Sequence, residues 1–272
     1  MRLVLVGRTS FLAGYVSQAA ASEGVETLWL GRSEDMSAHL RPGDRVVNFA
    51  ISPGYQSGPY SEDADCDLSV ARQAVRCGAR VVMLSTRRVY PAEARWNARE
   101  DALATGDETH YGRNKARTEQ AVRALAPDAA IFRLANIFGP EYRPGSGRGT
   151  FFGRMLRTLK EENVIRFDMH PDTRRDFLPA EVFASALVRA LRADATGVLN
   201  LGSGVGTPCG LLADWLREGF GGGDLLVDVP EIRDEFYLNA EAWNGLFGSL
   251  LVAGQLRKYC FDLGQNLQCV KF

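Results

Sequence analysis

The chain has 272 residues, 46% of them hydrophobic, which is enough to bury the core of one large α/β domain or of a cofactor domain with a smaller lobe. A formal net charge of −1 and a pI near 6.3 exclude an electrostatic case for nucleic acid or an anionic membrane as the main partner and leave a small molecule as the expected ligand. Cys66, Cys77, Cys209, Cys260 and Cys269 form no Cys-x-x-Cys pair, which argues against a disulfide framework or a zinc site and for thiols in a reducing cytoplasm.

The opening residues Met1-Arg2-Leu3-Val4-Leu5-Val6-Gly7 hold an apolar run too brief for a signal-peptide core or a membrane span, and read as a strand entering a glycine turn. A helical pattern over 11–21 and an extended apolar segment over 26–30 complete a β-α-β unit. Runs at 46–49 and 81–84 are further strands, the second preceded by a helix through Leu68, Ala71 and Val75 that Gly78 can stop. Next come a helix carrying Tyr111 and a strand over 129–134. This alternation predicts a mostly parallel, doubly wound α/β sheet over 1–139, with ligands at the carboxyl ends of its strands.

Past Gly139-Pro140, the segment Arg143-Pro144-Gly145-Ser146-Gly147-Arg148-Gly149 reads as a mobile loop. Helices follow through Phe151, Met155 and Leu159 and over 181–191, then a returning strand near 198–201. Residues 140–272 are therefore expected to form mainly a smaller substrate-binding lobe, with a glycine-rich loop over 219–223 and a tail, 266–272, that is expected to be disordered.

Between the first strand and first helix, Gly7-Arg8-Thr9-Ser10-Phe11-Leu12-Ala13-Gly14 can hold a pyrophosphate on a tight turn and on the amides of a helix start. Only Gly7 is in register with a dinucleotide fingerprint, and Ser10 and Ala13 take the other two glycine places. Gly7, Arg8, Ser10, Phe11 and Leu12, with Ala50 just past the third strand, are the candidate cofactor contacts. No acid sits at Gly31-Arg32-Ser33, where NAD-binding turns place one, so Arg32 together with Arg8 points to the extra phosphate of NADP(H). NAD is the alternative, and two surface arginines are the bland reading.

In Tyr111-Gly112-Arg113-Asn114-Lys115 a phenol and an ammonium four positions apart share one helix face. A free tyrosine ionises near pH of about 10, and a nearby cation favours its phenolate, so the ring can trade a proton with a substrate oxygen. A solvated helix with an ordinary tyrosine would show the same spacing, and spacing alone does not separate the two.

Four more motifs bear on that choice: Ser85-Thr86-Arg87-Arg88-Val89-Tyr90, Arg133-Leu134-Ala135-Asn136-Ile137-Phe138-Gly139-Pro140, Arg175-Asp176-Phe177 and Asn200-Leu201-Gly202-Ser203-Gly204. With the glycine turn and Tyr111/Lys115, and in this order, they resemble the extended short-chain dehydrogenase/reductase family, the NAD-dependent epimerase/dehydratase or nucleotide-sugar-modifying group. The resemblance implies a Rossmann-like sheet and a catalytic set of Thr86, Tyr111 and Lys115, with Lys115 keeping the phenol acidic and binding the nicotinamide ribose. It places Asn136 against a nucleotide-sugar and Arg175 on a substrate phosphate. Arg148 and Arg233 are weaker candidates for the pyrophosphate, and solvent exposure explains them equally well.

The chain departs from the family in three places. Arg87 and Arg88 stand where 4,6-dehydratases carry an acid and a base, and arginine cannot abstract a proton. The stretch 33–43 is too short for the strand and helix usual there, with their adenine-side Asp. Pro179-Ala180-Glu181 replaces Val-Asp-Asp, and Glu181 can favour the positive end of the following helix.

The activity implied is reduction of a 4-keto nucleotide-sugar by NADPH; the alternative is an NAD-dependent 4-epimerase, which uses the same triad. A catalytically silent NADP sensor or scaffold is a third reading, and it need not keep Thr86, Tyr111 and Lys115 together. The nucleotide, the sugar and the stereochemistry stay open. So does a homodimer through the helices before Thr86 and around Tyr111, since the faces over 68–75 and 118–122 could equally pack on the sheet.

Overall fold

A computed structural model describes residues 1–140 and 150–270 of the chain. The loop expected over 143–149, including Arg148, lies outside the described residues. The elements run β1 (Arg2–Val6), α1 (Phe11–Ser22), β2 (Glu26–Leu30), β3 (Arg45–Asn48), α2 (Pro53–Ser57), α3 (Cys66–Arg76), β4 (Arg80–Thr86), β5 (Trp96–Ala98), α4 (His110–Leu125), β6 (Ala130–Leu134) and β7 (Asn136–Phe138). They continue with α5 (Phe151–Glu162), β8 (Val164–Phe167), β9 (Arg174–Pro179), α6 (Ala180–Arg192), β10 (Gly197–Leu201), β11 (Gly206–Pro208), α7 (Cys209–Phe220), β12 (Asp224–Val227), β13 (Tyr237–Leu238), α8 (Glu241–Phe247) and α9 (Gln255–Gln265).

Six parallel strands form the main sheet in the order β10-β6-β4-β3-β1-β2. Side chains alternate across it, as strand geometry requires. Leu3, Leu5, Val47, Val82, Leu84 and Phe132 face a core closed by Val16 and Ala20 of α1 and Phe183, Leu187 and Leu191 of α6. Val4, Val6, Val46, Val81, Met83 and Ile131 face a second core closed by Val70, Ala71 and Ala74 of α3 and Val122 of α4. Between β2 and β3 there is no helix or further strand; Met36 and Leu40 instead drop into the second core and cover the sheet there. The sheet therefore ends at β2.

The strand order reverses at β1, so β2 lies on one side of it and β3 on the other, and the crevice at the carboxyl ends of β1 and β3 is the place where such sheets take ligands. A third core, built from α5, β8, β9, α7 and α9, packs beside the sheet's carboxyl end around Phe152, Leu156, Phe167, Phe177, Leu212 and Leu263. Although later in the chain than residue 140, α6, β10 and Trp243 of α8 belong to the first core.

Two sequence expectations are corrected. The tail is ordered through Val270: Leu267 is fully buried, and Lys160 Nζ donates to the carbonyls of Gln268 and Val270 at 3.0 and 2.6 Å. The glycine-rich loop shortens to 221–223, because α7 runs through Phe220. As for the faces weighed for a dimer, Leu68, Val70, Ala71, Thr118 and Val122 are buried within the single chain, while Val75 is 39% exposed.

One carboxylate couples the lobe to the sheet. Asp176 of β9 is fully buried and accepts from Ser203 N, Ser203 Oγ, Gly204 N and Leu238 N at 2.6–3.2 Å. Burial pushes its carboxyl up, and these donors work the other way.

Candidate active site

Gly7 adopts a φ of +115°, open to glycine at little cost, and a Cβ there would sit 3.0 Å from the backbone nitrogen of Ala50. Its N–H donates to the Leu30 carbonyl at 2.9 Å, and its carbonyl accepts from Ser10 N at 3.1 Å, which folds the chain sharply into α1. Ser10 is the N-cap residue of α1 but its hydroxyl does not cap the helix, and Ala13 is fully buried where a fingerprint would have its last glycine. Ala50 is braced by Asn48, whose Oδ1 accepts its N–H at 3.0 Å and whose Nδ2 donates to its carbonyl at 2.9 Å. The two strand ends that flank the crevice thus pass close together at Gly7 and Ala50, and Phe49 N donates to the Val6 carbonyl beside them at 2.8 Å.

The arginines expected to share a phosphate are not equivalent. Arg8 donates to both oxygens of Glu34 at 2.8 and 3.2 Å, so an acid does stand near the end of β2 after all. The sequence reading missed it because the chain doubles back after Gly31, bringing a residue three positions on against the turn. Arg32 is exposed and makes no ion pair among the described residues.

On the other side of the crevice, Thr109 N-caps α4 by accepting from Gly112 N at 3.0 Å, and Asp107 accepts the Thr109 N–H at 3.0 Å. Gly112 is pressed so closely to Asp107 and to the Arg88 carbonyl that no side chain would fit, which docks the start of α4 against the turn that follows Thr86. Thr86 Oγ1 accepts from Arg88 N at 3.3 Å, leaving its own O–H to donate elsewhere. Tyr111 and Thr86 line one cavity of about 380 Å³ together with Phe11 and Leu12 of the glycine turn and with Asn136 and Arg175.

Lys115 is not among the lining residues. It lies buried behind the cavity, its Nζ 6.0 Å from the centre of the Tyr111 ring, and donates to Asp67 Oδ2 at 2.6 Å and to the Leu84 carbonyl at 2.8 Å. Burial alone would drive its ammonium toward the neutral form, but the Asp67 carboxylate, with smaller contributions from the Tyr111 and Tyr55 phenols, offsets this and holds it above the ordinary lysine range. Asp67 in turn accepts from Asn48 Nδ2 at 2.8 Å. Nearby, Tyr55 donates or accepts with Thr118 at 2.7 Å, and burial raises its phenol above the usual value.

At the cavity's other rim, three guanidiniums converge on one carboxylate. Asp234 pairs with Arg87 at 2.8 Å, Arg175 at 3.1 Å and Arg95 at 3.2 Å, with Arg88 at 3.9 Å and otherwise bound to Asp107 at 2.5 Å. Burial opposes its charge, but the arginines, Arg87 first, hold its carboxyl down to about 2. Arg87, stacked 3.8 Å from the Phe236 ring, is drawn down to about 10 by burial. Arg233 is exposed and does not line the cavity. Asp67, Asn48, Glu34 and Asp234 were all missed from sequence. Asp67 had a signal, since it shares with Ala71 and Ala74 the inward stripe of α3, where a charge must find a partner. Asp234 had none nearby, because its partners come from three distant segments.

A glycine turn and a Thr/Tyr pair facing one crevice at the switch point of a parallel sheet define a Rossmann-type α/β protein of the short-chain dehydrogenase/reductase kind. The model of the NAD dependent epimerase/dehydratase family matches residues 44–202, more than half of the chain, and the protein belongs to that family. It is 31% identical over 174 residues to a Mycobacterium tuberculosis dTDP-4-dehydrorhamnose reductase, a match covering 58% of this chain and 55% of the relative. A Mycolicibacterium smegmatis protein of the same name is 29% identical over 206 residues, 70% of this chain and 59% of the relative. The chain thus spans little more than half the length of these relatives.

Among solved structures, a UDP-glucuronic acid 4-epimerase from Bacillus cereus superposes with a TM-score of 0.80 over all of both chains at 16% identity. An NAD-dependent NDP-hexosamine 5,6-dehydratase superposes at 0.78 over 100% of this chain and 98% of that one, at 18% identity. These likenesses establish the fold.

Proposed function

We propose that the protein is an NAD(P)-dependent oxidoreductase that reduces a 4-keto nucleotide-sugar at the expense of NADPH. The observation that carries this reading is the single cavity lined both by the Thr86 and Tyr111 side chains and by Phe11 and Leu12 of the glycine turn. The relatives named dTDP-4-dehydrorhamnose reductase support it. So do Arg87 and Arg88, whose guanidiniums cannot act as the base of an elimination.

The residues present fit a dinucleotide, because the tight turn at Gly7 leads straight into the start of α1, where Phe11 and Leu12 line the same cavity as Thr86 and Tyr111. Gly7, Arg8, Ser10, Phe11, Leu12 and Ala50 would hold it, with Arg32 at the 2′-phosphate and Tyr111 at the nicotinamide ribose, toward which Lys115 has only the one donor that Asp67 and Leu84 leave. When bound, it supplies the hydride. Tyr111 donates its phenolic proton to the substrate carbonyl oxygen as charge develops there, and Thr86 donates a hydrogen bond to the same oxygen. Lys115, fixed behind the ring, presents positive charge to the phenol throughout. Asn136 and Arg175, both on the cavity wall, hold the nucleotide end of the substrate.

A second reading, an NAD-dependent 4-epimerase, is favoured by Glu34: an acid near the end of β2 suits the ribose hydroxyls of NAD, and its pairing with Arg8 removes one of two guanidiniums from a 2′-phosphate. The two are separated by incubating the protein with NADPH and a panel of nucleotide-linked 4-keto and 4-hydroxy sugars while following absorbance and product. The reductase oxidises NADPH without isomer exchange. Isomer exchange without net NADPH loss would establish the epimerase, and neither activity would dismiss both.

A further inference from the structure

Lys115 sits where its charge can act on Tyr111, yet two of its three donors are spent on Asp67 and on the Leu84 carbonyl, and the ammonium is buried. A lysine in such a place would shed its proton unless an anion faced it. The facing anion is Asp67, itself buried and held from the far side by Asn48. Asn48 grips both the N–H and the carbonyl of Ala50, and Ala50 N is the atom that a side chain at residue 7 would strike. A line of hydrogen bonds therefore runs from the Tyr111 side of the crevice through Lys115, Asp67 and Asn48 to Ala50, whose backbone packs closely enough on the glycine turn to leave no room for a side chain at Gly7.

We infer that Asp67 is a positioning residue that keeps Lys115 charged and aimed beneath Tyr111 and, through Asn48, ties this pair to the dinucleotide turn. This rests on the reading of Tyr111 as the proton donor. The charged and titratable groups around Lys115 are Asp67 and Cys66 of α3, Asp65 at its N-cap, Tyr55 of α2 and Tyr111 of α4. Asp65 is occupied by Thr118, Leu68 N and Tyr60, the last at 3.1 Å, so Asp67 is the carboxylate left to answer the ammonium. Removing its negative charge lets the Tyr111–Lys115 pair release a proton at lower pH, whichever of the two gives it up.

The test is the pH dependence of NADPH-driven reduction in the wild type, Asp67→Asn and Asp67→Glu, together with dinucleotide affinity read from protein fluorescence. In Asp67→Asn the alkaline limb of the rate should move down by about one pH unit, the size expected for a unit charge lost at this range. Its turnover at pH 8 should fall at least tenfold. Asp67→Glu, which keeps the charge but moves it, should lower turnover with the limb nearer that of the wild type. Dinucleotide affinity should weaken several-fold in Asp67→Asn and also in Asn48→Ala, which removes the bridge between Asp67 and Ala50 but keeps the carboxylate, and serves if Asp67→Asn does not fold. An unmoved limb with wild-type turnover, or unchanged dinucleotide affinity in Asn48→Ala, would overturn the proposal. A wild type that binds dinucleotide but turns over no substrate would sink the assigned reaction alone, and the affinity measurements would then decide the fate of the link.

Discussion

Two charged regions flank the same cavity and are built on opposite terms. Behind Tyr111, one cation meets one carboxylate, Lys115 and Asp67, each buried and each further hydrogen-bonded, so the pair is closed. Around Asp234, three guanidiniums share one half-buried carboxylate while a fourth, Arg88, leans on Asp107, so positive charge exceeds negative. A neutral, sealed pair can hold a catalytic group still. An open surplus of guanidiniums is suited to meeting an incoming anion, such as the pyrophosphate of the proposed substrate, and Asp234 keeps it from self-repulsion until then.

The largest effect expected on the sealed side is chemical. Tyr111→Phe should cut turnover by orders of magnitude, on the scale of a lost general acid, while leaving NADPH affinity largely intact. Equal activity in that variant would remove the proposed donor. Next comes stability: Lys115→Met strands the Asp67 carboxylate in the interior and should cost about 3–5 kcal/mol, read from denaturant unfolding. A loss below about 1 kcal/mol, the range of surface pairs, would mean that the pair is not sealed.

On the open side, Asp234→Asn should tighten binding of a nucleoside diphosphate several-fold, measured by calorimetry at low and high salt. Weaker binding would show instead that the carboxylate is needed to array the arginines. Because its folded value lies below the ordinary carboxylate range, the stabilisation Asp234 contributes is complete above about pH 4 and disappears as pH falls toward 2. Acid unfolding of Asp234→Asn should accordingly differ from the wild type above that window and converge with it below. The smallest effect concerns the cofactor: Glu34→Gln, by releasing Arg8, should raise the preference for NADPH over NADH a few-fold, and Arg32→Asp should lower it. No change in either ratio would move the 2′-phosphate away from both arginines.

How much of this was legible in the sequence depends on how far apart the partners lie. The strands showed as short apolar runs, and the shortened link after β2 as a simple shortage of residues, because both are local. Thr86 and Tyr111 were recognisable from neighbours within a few positions, and the fold brings them to the same cavity. What failed to show was pairing at long range. Lys115 looked like a bare cation because Asp67 is 48 residues away, and Arg175 looked like an unencumbered phosphate ligand because Asp234 is 59 residues away. Arg8 looked unpaired over a shorter gap, where an irregular turn rather than a strand carries Glu34 back.

The carboxylate of Asp176 also has a mechanical part to play. It sits next to Arg175 on β9 but points to the opposite side of the strand, where it gathers four donors from residues 203, 204 and 238. Those anchors rivet the arginine's own strand to the returning edge of the sheet, so a swing of the lobe about residues 174–179 would have to tear them out together. Any jaw that shuts over a ligand must pivot elsewhere, and Arg175 is part of the anvil against which it closes.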